Sequence, residues 1–485
     1  MKYPINIFLT TALLALSCYI FLYNLGAHSI SLKSDEVIYT RVTQNIVQTG
    51  DLLPLKHGKA NFFHKPPLKF WLGSIPPTFL GESNFSYRLF DALLGFSTVI
   101  LTWLLCWLLT KDITTSSLSC FLMLSSLELT IGEHGFRRVV LDNLVIVLTL
   151  LSTIILFINL RTPKIKSYVL TGFLIGLIFL TKSVIAFIPM ACACLSVLLL
   201  MEGGSLKRKF FLCLTIIFTS ITTALAYYIP TIILYPNSLK TILGKEILQR
   251  FNSGFIGHNT GNPWFYLQYL ILKSGSIASG FLILAIIYFL FFDRKNKSLL
   301  FTLIWGFLPI IIFNFSASKT PWYISLAVPF ISIFCSIAIL EVSKNFKKLP
   351  VILAIIFCLL SSYGLYQTYK KYKKISSIIN SQTVRIPFDL FSEELKRTDI
   401  KIDIINQAIW DGTNPTNGKY NVEGIYKKML GNQVIDITSV EEASNSVVLI
   451  KNTDKMPAGY SVTGRLQAFG QRKDDVLILK KNEKL

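Results

Sequence analysis

Long apolar runs separated by short polar loops dominate the chain as far as Tyr369, after which polar residues take over. A bilayer crossing needs about 20 apolar residues, so the runs predict roughly eleven spans. They fall near 5–25, 87–110, 114–130, 143–160, 168–181, 184–202, 210–235, 276–292, 298–315, 321–341 and 350–369. The first run continues through Tyr23-Asn24-Leu25-Gly26 with no small-residue cleavage site, so it reads as an uncleaved helix rather than a signal peptide. The shortest turn is Thr181-Lys182-Ser183.

Basic residues orient these spans. Lys2, Lys111, Arg161, Lys164, Lys166, Lys207, Arg208, Lys209, Arg294, Lys295, Lys297, Lys344, Lys347 and Lys348 all fall in alternate loops, on one side. An excess of Lys and Arg marks the cytoplasmic side. The outer side then receives the 26–86 loop, residues 132–142, the 236–275 loop, the turn at 316–320 and the C-terminus.

The 26–86 loop has a pattern of its own. Ser34 is placed to cap a helix whose first turn holds Asp35 and Glu36, where the helix dipole favours acids. Ile38, Val42 and Ile46 recur every four residues, as in a helix lying on a membrane surface, and Gly50 ends it. Pro66-Pro67 starts a second amphipathic segment carrying Leu68, Phe70, Trp71 and Leu72. Beyond the basic exit Lys370-Lys371-Tyr372-Lys373-Lys374, short apolar runs such as 445–450 and 475–479 alternate with polar ones. The expected architecture is a polytopic α-helical membrane domain over 1–369 and a small periplasmic α/β soluble domain over 370–485.

Composition narrows the functional classes. Only 15% of residues are charged, against roughly 25% in a soluble protein. The net charge of +21 does not point to nucleic acid, because many of the basic residues lie in the loops between spans. The eight cysteines sit in apolar runs without metal spacing, so they read as packing residues. There is no Gly-rich nucleotide loop and no internal repeat.

Several polar fragments are candidates for chemistry. Of Asp35 and Glu36, adjacent on a helix, one at most faces a site, and Asp35 is favoured over a purely capping role. His64 and Lys65 precede two prolines and so stand at a helix N-terminus, a natural phosphate site; a solvated loop is the plainer alternative. Arg137-Arg138 and Asp142 put two arginines in an outer loop, for gripping phosphate or for an interfacial ion pair with the acid. Lys182 is a lone charge between apolar runs, functional unless it snorkels to the surface. Lys319 lies in an outer turn before Pro321-Trp322-Tyr323, whose rings suit an aromatic belt. His258 lies before Pro263-Trp264-Phe265-Tyr266 and, with His64, could bind a divalent metal.

In this order, the fragments resemble the bacterial dolichyl-phosphate-mannose–protein mannosyltransferase-like family, and within it the aminoarabinose transferases that modify lipid A. The resemblance runs from residue 1 to about 345. It implies a GT-C fold and transfer of a sugar from a polyprenyl phosphate at the outer face of the inner membrane. Asp35 matches the catalytic acid, with Asp142 as the second acidic position. Lys65 matches a donor-phosphate lysine, with Lys182, Lys319, Tyr323 and Arg138 on the phosphate side. His258 matches a metal-binding histidine, which implies a divalent ion such as Zn, Mg or Mn and no nucleotide cofactor. The chain departs from the pattern at His64, where the relatives usually carry Glu, and at Ile38, where they often carry Arg.

The expected reaction is a single inverting displacement. Lysines stabilise the departing lipid phosphate while Asp35 deprotonates or orients the acceptor. The expected acceptor is lipid A, with a protein or another envelope glycan as the alternative. A lipid-linked-sugar transporter is disfavoured, because the polar residues sit in outer loops rather than in two matching halves with broken midplane helices.

Overall fold

The computed structural model describes residues 2–26, 35–58, 60–130, 132, 134–242, 262, 264–269, 277–316, 319–344 and five strands between 402 and 481. Two compact units are present. One comprises Met1–Leu25, Thr43–Lys56 and Ala60–Thr368, the other Gly26–Val42, His57–Lys59 and Tyr369–Leu485.

The first unit is a helical bundle. Its elements are α1 (Lys2–Leu22), the second half of α2 (Asp35–Thr49), α3 (Leu68–Gly73), α4 (Ile75–Leu80), α5 (Asn84–Thr110), α6 (Ile113–Leu124), α7 (Leu127–Thr130), α8 (Asp142–Asn159), α9 (Ile165–Lys182), α10 (Phe187–Leu200) and α11 (Leu206–Leu234). α12 (Phe265–Gln268), α13 (Ile277–Phe292), α14 (Lys297–Asn314) and α15 (Val328–Lys344) complete it. Among the described residues, five helical segments are long and apolar enough to cross a membrane: Asn84–Thr110, Asp142–Asn159, Ile165–Leu200, Leu206–Leu234 and Lys297–Asn314. Shorter apolar helices lie beside them, as in a polytopic membrane protein. The expected run 350–369 lies outside the described residues.

Local signals start and stop these helices. Ser83 and Ser86 form a reciprocal capping box at α5, and Asp112 accepts the Thr115 amide at the start of α6. The single run expected over 114–130 is broken at Ser125-Ser126, where the Ser125 hydroxyl donates to the Leu122 carbonyl (2.6 Å) and competes with the helix ladder.

The loops expected on the cytoplasmic side meet at one end of this unit. The Glu202 amide donates to the Leu160 carbonyl (3.1 Å), and its carboxylate pairs with Lys297 (2.8 Å). The Ser298 hydroxyl donates to the Leu109 carbonyl (3.2 Å). The pairing is exposed and adds little stability, but it brings together the loops after α5, α8, α10 and α13. α9 leaves this end at Ile165 and reaches the opposite end at Lys182, and α10 returns.

Close backbone contact holds α9 against α11. A Cβ on Gly172 would fall 2.6 Å from the Ile216 carbonyl oxygen, and one on Gly176 would fall 2.4 Å from Thr223 Cβ. This glycine spacing lets helices approach closely where hydrophobicity alone gives no attraction between them. The Ser220 hydroxyl reaches across to the Gly172 carbonyl (2.9 Å).

In the second unit, β1 (Ile402–Ile405), β2 (Val434–Ile437), β3 (Val447–Lys451), β4 (Tyr460–Leu466) and β5 (Val476–Lys481) form one sheet in the order β2-β1-β3-β5-β4. β1 is parallel to β2 and β3, whereas β5 is antiparallel to β3 and β4. The first half of α2 belongs here, headed by Asp35 and Glu36. Its expected cap, Ser34, lies outside the described residues, and Gly50 ends the helix at φ +75° as expected. One expectation changes: Val42 and Ile46 are buried within the protein rather than laid on a membrane.

Candidate active site

A three-residue cluster sits at the end of the bundle opposite the basic loops. Asp142 begins α8 and Lys182 ends α9; Lys182 Nζ lies 2.5 Å from Asp142 Oδ1. His134, in the loop before α8, places Nδ1 2.9 Å from Asp142 Oδ2. All three side chains are close to buried. Asp142 faces the Lys182 ammonium as an acceptor, so the network assigns the proton to His134 Nδ1.

Aromatic rings floor the cluster. The His134 ring stacks on Trp322, with centroids 4.2 Å apart and planes 5° from parallel. The Lys182 ammonium stands 5.5 Å from the centroid of Tyr323, which leans on Phe313 at 4.9 Å. Trp322 and Tyr323 belong to a short 3-10 helix, Pro321–Leu326. They therefore form a wall of the site, beyond the aromatic-belt role that composition suggests.

The residue after Lys182 opens onto a small cleft lined by His64, Lys65, Pro66, Ser183, Tyr227 and Tyr228 among others. Ser183 holds φ +42°, strained for a side-chain-bearing residue, and starts the 3-10 turn between α9 and α10. Its hydroxyl pairs with that of Tyr228 at 3.0 Å. A lysine, an imidazole and hydroxyls at one cleft are the donors that a phosphate head takes.

The other expected residues fall as follows. Asp35 heads α2 in the second unit, and its carboxylate accepts the Tyr39 hydroxyl at 2.9 Å. Lys319 is buried, with its ammonium on the Ser316 carbonyl (2.8 Å). Its turn is pinned by the Thr320 amide, which donates to the Tyr266 hydroxyl (3.1 Å). Burial pushes the Tyr266 phenol up from its ordinary pKa, and the Tyr269 phenol likewise.

The two arginines divide. The Arg137 guanidinium donates to the carbonyls of Ile20 (2.5 Å), Tyr23 (2.8 Å) and Asn24 (3.3 Å), closing the C-terminal end of α1. The Arg138 side chain is half-buried and its carbonyl accepts the Asn143 amide (3.2 Å).

His258 lies outside the described residues. Among the described residues no three His, Cys, Asp or Glu side chains are grouped to hold a metal ion. The cleft side chains around His64 are a lysine, hydroxyls and rings rather than further carboxylate, thiol or imidazole donors.

Sequence reasoning missed His134, Lys69, Asp91 and Asn143. Lys69 on α3 and Asp91 on α5 form a buried ion pair (2.7 Å), and the Asn143 amide donates to the other oxygen of Asp91 (2.7 Å). The only signal for them is polarity beside apolar runs, in Leu68-Lys69-Phe70 and Phe90-Asp91-Ala92.

Residues 64–233 match the family model described as dolichyl-phosphate-mannose-protein mannosyltransferase. Over 316 residues the chain is 25% identical to the undecaprenyl phosphate-alpha-4-amino-4-deoxy-L-arabinose arabinosyl transferase of Pseudomonas aeruginosa, covering 63% of this chain and 54% of that one. With the Yersinia pestis protein of the same name it shares 26% over 331 residues, 64% of this chain and 56% of the other. The chain thus spans about half the length of the curated relatives it matches. The crystal structure of ArnT from Cupriavidus metallidurans bound to undecaprenyl phosphate aligns over 97% of both chains, with a TM-score of 0.66 at 12% identity. The fold is therefore that of the ArnT crystal structure, and the sequence over residues 64–233 resembles the dolichyl-phosphate-mannose-protein mannosyltransferase family, with aminoarabinose transferases among the proteins it is similar to.

Proposed function

We propose that this chain is an inverting glycosyltransferase that moves an aminoarabinose-like sugar from undecaprenyl phosphate to lipid A, at the periplasmic face of the inner membrane. One observation carries the reading: Lys65 and Ser183, the neighbour of Lys182, line one cleft at the end of the bundle away from the basic loops. The positive-inside pattern supports a periplasmic position for that end. About eleven crossings of a bilayer, an odd number, would put the soluble domain 370–485 on the same side. The names of the relatives and the lipid phosphate bound to the structural neighbour support the choice of donor.

The chemistry follows from charge. As the bond from the anomeric carbon to the donor phosphate breaks, positive charge grows on carbon and negative charge on the leaving phosphate. Lys65 and Lys182, with Lys319, Tyr323 and Arg138 on the same side, stabilise that phosphate. Asp142 holds Lys182 and His134 in place. Asp35 deprotonates or orients the acceptor for attack from the opposite face, which inverts the anomeric centre. A divalent ion on His64 and His258 belongs to the same proposal; metal content of the purified protein, before and after His258→Ala, tests it.

Mass spectrometry of lipid A from cells with and without the gene tests the function. Lipid A carrying the amino sugar only when the gene is present supports the reading. An unchanged lipid A, with label arriving on a protein or another glycan, moves the acceptor to the alternative.

A further inference from the structure

We propose that Asp91 is a positioning residue that sets the two halves of the site against each other. One half is the segment carrying His64 and Lys65, which runs through Pro66-Pro67 into α3. The other is the loop and helix start carrying His134 and Asp142. Asp91 sends one oxygen to each. Oδ2 takes the Lys69 ammonium at 2.7 Å, four residues after Lys65, and Oδ1 takes the Asn143 amide at 2.7 Å, one residue after Asp142.

The network costs stability, and that cost argues for a role. Lys69 is 2% exposed, and Asp91 and Asn143 are 0% exposed. Charges removed from water recover their desolvation only in part, and an apolar pair of similar size would hold α3 on α5 at least as well. The same Asn143 amide also reaches the carbonyls of Arg138 (3.2 Å) and Gly135 (3.4 Å), folding the 135–138 loop onto α5. These acceptors fix the amide orientation, since a flip would set oxygen against oxygen. Its own Oδ1 is left buried without a hydrogen-bond partner. What the network gains is a fixed spacing between a lysine on one cleft wall and the Asp142–Lys182 pair beside the other.

This inference rests on the proposed lipid-phosphate site, and its test separates the two. Asn143→Leu removes the direct side-chain link to α8 while keeping the Lys69–Asp91 pair and the Val140 amide on Asp91; the double variant Lys69→Met, Asp91→Asn removes both charges and keeps an acceptor for Asn143. Undecaprenyl phosphate affinity, thermal midpoint and hydrogen exchange over 62–74 and 134–142 are measured for each. In Asn143→Leu we expect affinity to fall at least tenfold with a modest change in midpoint, and both segments to exchange faster. The 62–74 segment matters most, because Asn143 reaches it through Asp91. The double variant should also lose affinity while its midpoint stays near that of the wild type. Affinity within twofold of the wild type in both variants would overturn the proposal. If the wild type binds no undecaprenyl phosphate, the functional reading fails and exchange decides alone: faster exchange in both segments supports the positioning role, and faster exchange in only one or neither overturns it.

Discussion

Lys182 and Asp142 meet head to head at 2.5 Å although 40 residues separate them. Asp142 is the first residue of α8 and Lys182 the last of α9, so each charge sits at the helix end whose dipole favours it. Two helix ends and a counter-ion therefore hold the ammonium beside the Lys65 cleft.

Asp142→Asn should therefore disarm the site by releasing Lys182 and His134 from their shared counter-ion. Removing one member of a nearly buried pair costs about 3–5 kcal/mol, and loss of the charge arrangement should lower kcat/KM by about 10²–10³. Initial rates in proteoliposomes and a denaturation curve check both. Wild-type rates in the variant would remove Asp142 from the mechanism.

His134 is held by two different contacts, and two variants separate them. His134→Phe keeps a ring for Trp322 and loses the bond to Asp142; Trp322→Leu does the reverse. We expect His134→Phe to lower the transfer rate at least tenfold and Trp322→Leu to act mainly on the thermal midpoint. The reverse ranking would make the stack the important contact.

Arg137 provides a contrast. Its guanidinium holds three carbonyls at the end of α1, and hydrogen bonds from a charged donor are worth about 1.5–3 kcal/mol each. Arg137→Ala should lower stability and leave undecaprenyl phosphate affinity within twofold. A tenfold loss of affinity at an unchanged midpoint would instead mark it as a phosphate ligand.

Much of the candidate site was legible because polar residues in outer loops of an apolar chain have few structural reasons to be there. Lys65, Lys182 and Asp142 stood out on that ground. His134 did not, since its value comes from Asp142 and Trp322, the latter distant in sequence. Lys69 lies inside the 26–86 loop and Asp91 near the start of the 87–110 run with nothing in sequence to pair them, and only the fold buries them together. The stripe Ile38, Val42, Ile46 was legible as an apolar helix face, but its spacing cannot distinguish lipid from protein as the covering medium. Lys319 stood out in sequence as a cation in an outer turn, and its ammonium rests on the Ser316 carbonyl of that turn.

His57 gives a pH signature. Burial, and then the nearby Arg41 charge, depress its pKa from 6.5 to about 4. The folded state thus prefers the neutral ring, and the stability it contributes is present in full above the unfolded pKa of 6.5. That contribution falls as pH drops from 6.5 towards 4, because the unfolded chain then binds the proton more readily. The thermal midpoint of the wild type should fall more steeply over this window than that of His57→Gln. Parallel curves would exclude His57 as the source.

The most direct test of the central claim is transfer by purified protein in liposomes, from labelled undecaprenyl phosphate–aminoarabinose to lipid A, with Lys65→Ala alongside. Labelled lipid A with an inverted anomeric centre is expected, with a loss of about a hundredfold or more in the variant. A wild type that transfers nothing from this donor, or Lys65→Ala at the wild-type rate, would contradict it.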